Sequence, residues 1–355
     1  MERIDKLRAR FSEHQIDGLL ITNPYNRRYV SRFTGTAGVV LLTEKDALLI
    51  TDFRYTEQAK KQAASFDIVQ YKETIFAEVA KRVKQLGIKK LGFESEHLTF
   101  QDYTIYKNQV EAELVAVRQL VETVRLKKEP EEIRIIEKAA EIADKAFSHI
   151  LAYIRPGVTE REIADELEFF MRKQGASSSS FETIVASGWR SALPHGVASD
   201  KIIEEGELVT LDFGAYYNGY CSDLTRTVAV RKISDELKKI YDIVLAAQKR
   251  GVEGIKPGMT GKEADALTRD YITEQGYGEF FGHSTGHGIG LEIHEGPTLS
   301  TKSATVLEPG MVVTVEPGIY IAGVGGCRIE DDVLITENGG KVLTKAPKEL
   351  IFVGG

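Results

Sequence analysis

The sequence predicts an α/β protein of two domains, a small mixed one followed by a larger one built from a duplicated unit. Three observations carry this. Residues 1 to about 120 alternate short apolar runs with helical patterns. The stretch Arg125–Pro130, RLKKEP, is charged and ends in a proline suited to the first turn of a following helix. Beyond it, a unit of helix, turn, helix and strand occurs twice, about a hundred residues apart. The boundary is placed between residues 124 and 125, giving domains 1–124 and 125–355.

In the first domain, Met1 to Phe11 is dense in charge and reads as an amphipathic helix. Strands are expected at Gly18–Thr22, Val39–Leu42, Ala47–Thr51 and Asp67–Gln70, with helices at Tyr55–Ala64 and Phe76–Leu86. Arg27, Arg28, Asp52, Arg54 and Tyr55 could reach a neighbouring site, but a solvated face is the simpler reading.

In the second domain a helix runs from Glu131 to about Ile154, and another ends at Gly175. Thr159 and Glu162 between them make a capping box. A helix over Ser234–Gly254 and one ending at Gly276 repeat the pattern. The segments IRPGVTEREIADELEFFMRKQG and IKPGMTGKEADALTRDYITEQG align without a gap. The strands that follow also match: Gly206–Gly214, GELVTLDFG, parallels Gly310–Gly318, GMVVTVEPG. Asp212 thus falls opposite Glu316 in the repeat. The next acidic strand residues are Asp223 in the first half and Glu330 in the second. Two related half-sites, each giving two carboxylates, are what a two-metal centre requires.

Local geometry supports that pairing. Asn218-Gly219 is a strong signal for a two-residue type I′ hairpin turn. It would pair Tyr217 with Tyr220 and set Asp212 opposite Thr225. Asp212 and Asp223 then share one face, as diagonal neighbours about 7–8 Å apart at the backbone. Two buried acids without a cation would repel and raise each other's pKa, and bound metal removes that penalty. Gly282–Gly290, GHSTGHGIG, adds His283 and His287. No lysine follows as it would in a phosphate-binding loop, so that reading is set aside. Arg328 and Glu330 share a strand face, and Asp331 turns to the other as a structural residue. Four carboxylates and one imidazole, without a cysteine, form a hard donor set. It suits two divalent ions, Mn²⁺ foremost, with Co²⁺, Fe²⁺ or Zn²⁺ as alternatives.

The motifs LDFGAYYNGYCSDLTRT, GHGIGLEIHE, VVTVEPGIY and CRIEDDVLI together resemble the pita-bread metallopeptidases. That group holds Xaa-Pro dipeptidase (prolidase), aminopeptidase P, methionine aminopeptidase and creatinase. The resemblance covers the whole chain, with a creatinase-like N-terminal domain and a pita-bread catalytic domain. It implies that Asp212 chelates one ion, that His287 and Glu316 bind the other, and that Asp223 and Glu330 bridge them. It implies that Glu316 is also the proton carrier, that His195 and His294 hydrogen-bond the scissile carbonyl or oxyanion, and that Arg328 orients a carboxylate. The implied substrate is a short peptide with proline in second position. Prolidases often carry an arginine a few residues after the equivalent of His294. Here the stretch is His294-Glu295-Gly296-Pro297-Thr298, which tilts the expectation towards an Xaa-Pro aminopeptidase, with the dipeptidase as the alternative. A homodimer is implied as well.

Composition sets the outer limits. A net charge of −7 disfavours nucleic-acid binding, which needs a basic surface. No stretch approaches the roughly 18 apolar residues of a membrane span. Without an export signal at the N-terminus, a cytoplasmic location is expected, with Cys221 and Cys327 as reduced thiols. Either thiol could line the site, but two structural cysteines are the simpler reading.

Overall fold

The computed structural model describes residues 2–355, and the chain divides into two compact units that meet between Arg125 and Leu126. The first unit holds helices α1 (Glu2–Arg8), α2 (Pro24–Ser31), α3 (Thr56–Gln62), α4 (Ile75–Gln85), α5 (Phe100–Gln109) and α6 (Leu120–Arg125). Its strands are β1 (Gly18–Ile21), β2 (Val39–Thr43), β3 (Ala47–Thr51), β4 (Asp67–Gln70), β5 (Lys90–Glu94) and β6 (Glu113–Val117). They form one mixed sheet in the order β4-β3-β2-β1-β5-β6. Arg27 and Asp52 do not lie on a solvated face. Arg27 is buried and donates to the Gly35 and Gly38 carbonyls, closing the loop after α2. Asp52 is also buried and takes a bidentate contact from Arg54 at 2.9 and 2.7 Å.

The second unit opens with α7 (Pro130–Ile150), with Pro130 in its first turn, and α8 (Glu160–Lys173). Strands β7 (Ser178–Ser179), β8 (Ile184–Ser187), β9 (Leu208–Phe213), β10 (Ala215–Tyr217), β11 (Tyr220–Cys221) and β12 (Leu224–Val230) follow. The second half repeats the plan with α9 (Asp235–Gly254) and α10 (Gly261–Glu274). Then come β13 (Gly286–Gly288), β14 (Glu295–Leu299), β15 (Val312–Val315), β16 (Gly318–Ile321), β17 (Gly325–Arg328), β18 (Asp331–Thr336), β19 (Gly339–Val342) and β20 (Phe352–Val353). Thr159–Glu162 and Thr260–Glu263 make equivalent capping boxes at the starts of α8 and α10.

Period-two alternation gives each half two unlike faces. In β9, Val209, Leu211 and Phe213 enter the apolar core with α7 and α8. Leu208, Thr210 and Asp212 take the other side. In β15, Val313 and Val315 join a core with Ala264 of α10, leaving Thr314 and then Glu316 opposite. The helices therefore cover the apolar faces, and the threonine-bearing and acid-bearing faces turn inward. Cross-links join them there: Glu330 donates its N–H to the Thr225 carbonyl, and Thr227 Oγ1 donates to the Arg328 carbonyl at 2.9 Å.

Arg226 and Asp331 fasten the same seam. Their side chains are 1% and 0% exposed and 2.8 Å apart. Arg226 also reaches the carbonyls of Glu330, Ala346 and Pro347. Asp331 accepts further bonds from Gln248 and Thr344 and pairs with Lys348, so it faces away from the other acids, as its strand position implied. Removing one partner of such a pair leaves a buried charge uncompensated. Arg226→Ala is expected to cost about 3–5 kcal/mol, read by urea unfolding. A loss under about 1 kcal/mol would mean that Lys348 alone compensates Asp331.

Candidate metal centre and catalytic pocket

The hairpin that starts the site forms in the expected register. Asn218 and Gly219 have φ of 46° and 86°, as a type I′ turn demands. Tyr217 pairs with Tyr220, and Asp212 with Thr225. The two chains approach so closely at Gly214 that a Cβ there would lie 1.8 Å from the Ser222 carbonyl oxygen. Asp212 ends the inward face of β9, and Asp223 directly precedes β12. Glu316 directly follows β15, and Glu330 directly precedes β18.

These four acids and His287 line one cavity of about 380 Å³, together with Phe181, Glu182, His195, His283, His294 and Arg328. Donor atoms of Asp223, His287 and Glu330 lie within 4.8 Å of one another. His287 Nε2 is 3.6 Å from Asp223 Oδ2 and 3.3 Å from Glu316 Oε1. Its Nδ1 faces the Gly288 carbonyl at 3.0 Å, which makes Nδ1 the protonated nitrogen and leaves Nε2 as a lone-pair donor towards the acids. Arg328 donates to Asp212 Oδ2 at 2.6 Å, and Thr225 Oγ1 donates to Glu330 Oε2 at 2.5 Å. Thr314 Oγ1 donates to Glu316 Oε1 at 3.1 Å and accepts the His287 N–H at 3.0 Å.

Five carboxyl groups, those of the four acids and Glu182, share this lining with one guanidinium. Burial, followed by the charges of Glu330 and Asp212, pushes Asp223 well above the usual carboxylate range. Burial, then Glu316 and Asp212, does the same to Glu330. Glu316 is pushed up to about 8, chiefly by burial. Burial lowers His287 and His294 from their ordinary values, so both are neutral above pH 7. Asp212 Oδ1, Asp223 Oδ1 and Glu330 Oε1 are buried with no hydrogen-bond partner. Buried polar atoms are rarely left so. Three unsatisfied anionic oxygens beside an imidazole lone pair make a site that divalent cations fit.

Eight of the residues singled out from the sequence line the cavity together: Asp212, Asp223, His287, Glu316, Glu330, His195, His294 and Arg328; Asp331 stands apart, bonded to Gln248. Two others lacked any assigned role. Tyr320 Oη accepts from Arg328 Nη1 at 2.7 Å and meets His283 Nε2 at 2.8 Å, extending the Arg328–Asp212 contact to the cavity wall. His283 had only its glycine-rich setting as a signal. Tyr320 had none, because its place depends on the register of β16 and β17, where it opposes Gly326. Cys221 and Cys327 are buried and unpaired, neither lines the cavity, and burial pushes both thiols up to about 12.

The fold and this donor set define a metal-dependent hydrolase. Residues 134–337 match the model of metallopeptidase family M24, and residues 3–127 match the creatinase/prolidase N-terminal domain. The chain belongs to metallopeptidase family M24. A solved structure of an Xaa-Pro dipeptidase from Bacillus anthracis is 65% identical, covers 99% of each chain and superposes with a TM-score of 0.99. An Xaa-Pro dipeptidase of Pyrococcus furiosus is 46% identical over 99% of each chain. The structure of an X-Pro aminopeptidase from Thermotoga maritima is 43% identical, covers 99% of this chain and 100% of its own, and has a TM-score of 0.92. Among the described residues, no helix is long and apolar enough to cross a membrane.

The raised carboxyls fix the sign of a pH effect. A group whose folded pKa lies above its unfolded value adds stability below the unfolded value and loses it as pH rises through the folded one. With Glu316 at about 8 and Asp223 and Glu330 also raised, these carboxyls cost metal-free protein stability as pH rises from their unfolded values of about 4 to the Glu316 value of about 8. His287 and His294, lowered by burial, are neutral above about pH 7 and add no slope there. A divalent cation takes the deprotonated form, so Mn²⁺ raises the thermal midpoint more at about pH 9 than at about pH 6. Differential scanning calorimetry with and without Mn²⁺ measures this. Equal shifts at both pH values would mean that the cation does not compete with these protons.

Proposed function

We propose that this chain is a two-metal Xaa-Pro dipeptidase, with Asp212, Asp223, His287, Glu316 and Glu330 as cation ligands. The observation that carries the reading is the meeting of four carboxyl groups, three of them buried, and the His287 Nε2 in one cavity, with three carboxyl oxygens lacking any hydrogen-bond partner. The oxygen-rich set favours Mn²⁺ over softer-ligand choices. When bound, the cations supply Lewis acidity to the scissile carbonyl and to water.

The side chains do the rest. Glu316 takes a proton from the attacking water and returns it to the proline nitrogen as the bond breaks. His195 and His294, both exposed to the cavity, donate N–H to the carbonyl oxygen as negative charge develops there. Arg328 holds Asp212 in one orientation, and Thr225 and Thr314 do the same for Glu330 and Glu316. A homodimer and a cytoplasmic enzyme belong to the same proposal.

The dipeptide preference rests on the names of the Bacillus anthracis and Pyrococcus furiosus relatives, and it reverses the tilt drawn from the missing arginine. A specific observation favours the second reading, an Xaa-Pro aminopeptidase. Arg328 is the one lysine or arginine lining the cavity among the described residues, and Asp212 already engages it. A dipeptide's free carboxylate finds no unengaged cation there, and Thr298 stands in the region where prolidases often place an arginine. The Thermotoga maritima relative carries the aminopeptidase name.

Mn²⁺-loaded protein should cleave Xaa-Pro at least about 10-fold faster than Xaa-Pro-Yaa at equal concentration, a difference of about 1.4 kcal/mol in barrier. The reverse ratio makes it an aminopeptidase, and inertness towards both removes proline specificity. Glu316→Gln should lower kcat by about 10²–10⁴, the usual range for a lost general base, with metal content measured in parallel. Full activity in that variant would remove Glu316 from the proton transfer.

A further inference from the structure

His294 sits in a loop that nothing in its own sequence obliges to hold still. The loop spans Gly288 to Gly296 and is closed at its base by the ladder pair Gly288 and Glu295. The base is tight. A Cβ on Gly288 would lie 1.9 Å from the Gly296 carbonyl oxygen, and one on Gly290 would lie 2.5 Å from Glu295 Oε1. The Glu295 carboxylate is therefore folded back over Gly290, beneath the turn that carries His294.

Lys128 meets it there. Lys128 Nζ is 2.6 Å from Glu295 Oε1, and the two side chains are 1% and 10% exposed. Lys128 lies at the start of the second unit, just before α7, and is itself anchored, its N–H donating to the Gly310 carbonyl at 2.8 Å. The first side of the loop, near its base, is tied to the metal-site hairpin, because the Cys221 N–H donates to the Gly290 carbonyl at 2.8 Å. The His294 ring packs edge-on against His287, with centroids 4.4 Å apart. Neither Lys128 nor Glu295 lines the cavity. Burying an ion pair is costly, and an apolar pair of like volume often serves stability as well or better. Stability alone gives no reason for a lysine at this position.

We propose that Lys128 and Glu295 are positioning residues: their buried pair sets the place of the His294 imidazole against His287 and the substrate carbonyl. The inference rests on the role given above to His294. Loss of the pair lets the loop settle elsewhere, and displacement of a catalytic group by about 1 Å can cost about 100-fold in rate.

The test compares Lys128→Met, Lys128→Arg and the double variant Lys128→Met/Glu295→Gln, each also in a His294→Ala background. Metal content, thermal midpoint, kcat and KM are read on whichever proline peptide the protein cleaves. Lys128→Met should lower kcat about 10- to 100-fold with KM changed less than about 3-fold and metal content unchanged. Lys128→Arg should restore most of it. The double variant, with no uncompensated charge, should recover the midpoint but not kcat. In the His294→Ala background Lys128→Met should cost less than about 2-fold, because groups acting as a unit are non-additive. Equal losses in both backgrounds, or recovery of kcat along with the midpoint, would overturn the proposal. A protein inert towards proline peptides refutes the function but not the pair. Then the His294 ring resonance decides: it should move in Lys128→Met while that of exposed His97 stays. An unmoved His294 resonance overturns the positioning role.

Discussion

The catalytic half of this protein is organised around a repulsion. Asp212, Asp223, Glu316 and Glu330 are held within one small volume, three of them with an oxygen no hydrogen bond satisfies. Acids so placed are unstable neighbours, and burial and mutual charge push protons onto Asp223 and Glu330. Much of the surrounding architecture keeps them there. The helices on the outer faces supply the apolar burial, which leaves the inner faces free to be polar. Threonines at 225, 227 and 314 turn those inner faces into hydrogen-bonded contact rather than exposed strand. Arg226, buried against Asp331 and three backbone carbonyls, closes the seam from behind.

Much of this was legible in the sequence because duplication wrote it twice. A lone aspartate on a strand says little. Asp212 and Glu316 at matching positions of two aligned repeats, each followed by a second acid, say a great deal. The Asn218-Gly219 turn then fixed the register, and with it the shared face of Asp212 and Asp223. The helices of the repeat were readable from their capping boxes, a local signal that needs no tertiary contact. In the first domain α2, α5, α6, β5 and β6 are not evident from periodicity: α5 is only weakly amphipathic, with Tyr106 its one buried residue, and Arg27 is buried against backbone carbonyls in a way no periodicity reveals.

The contacts around the acids were harder to see. Tyr320 reaches Arg328 and His283 only because β16 and β17 pair in one particular register. Lys128 reaches Glu295 across 167 residues of sequence. Such contacts follow from tertiary placement and carry no spacing rule. The choice between dipeptide and longer peptide belongs to the same class. It turns on which charged groups surround the bound carboxylate, and the stretch after His294 records only the absence of one.

The seam between the repeats also bears on how the chain reaches its native state. The Asp223 N–H donates to Asp332 Oδ2, and Glu330 receives Thr225 Oγ1, across 109 and 105 residues. Contacts of such long range close late, since loop entropy must be overcome before they are rewarded. Each repeat by itself offers two carboxylates and no complete donor set, with His287 arriving only in the second. A cation therefore has little to hold until both halves have docked. With the proposed ligands, metal uptake would mark the completion of folding rather than its start, because the four acids come together only when the two halves dock.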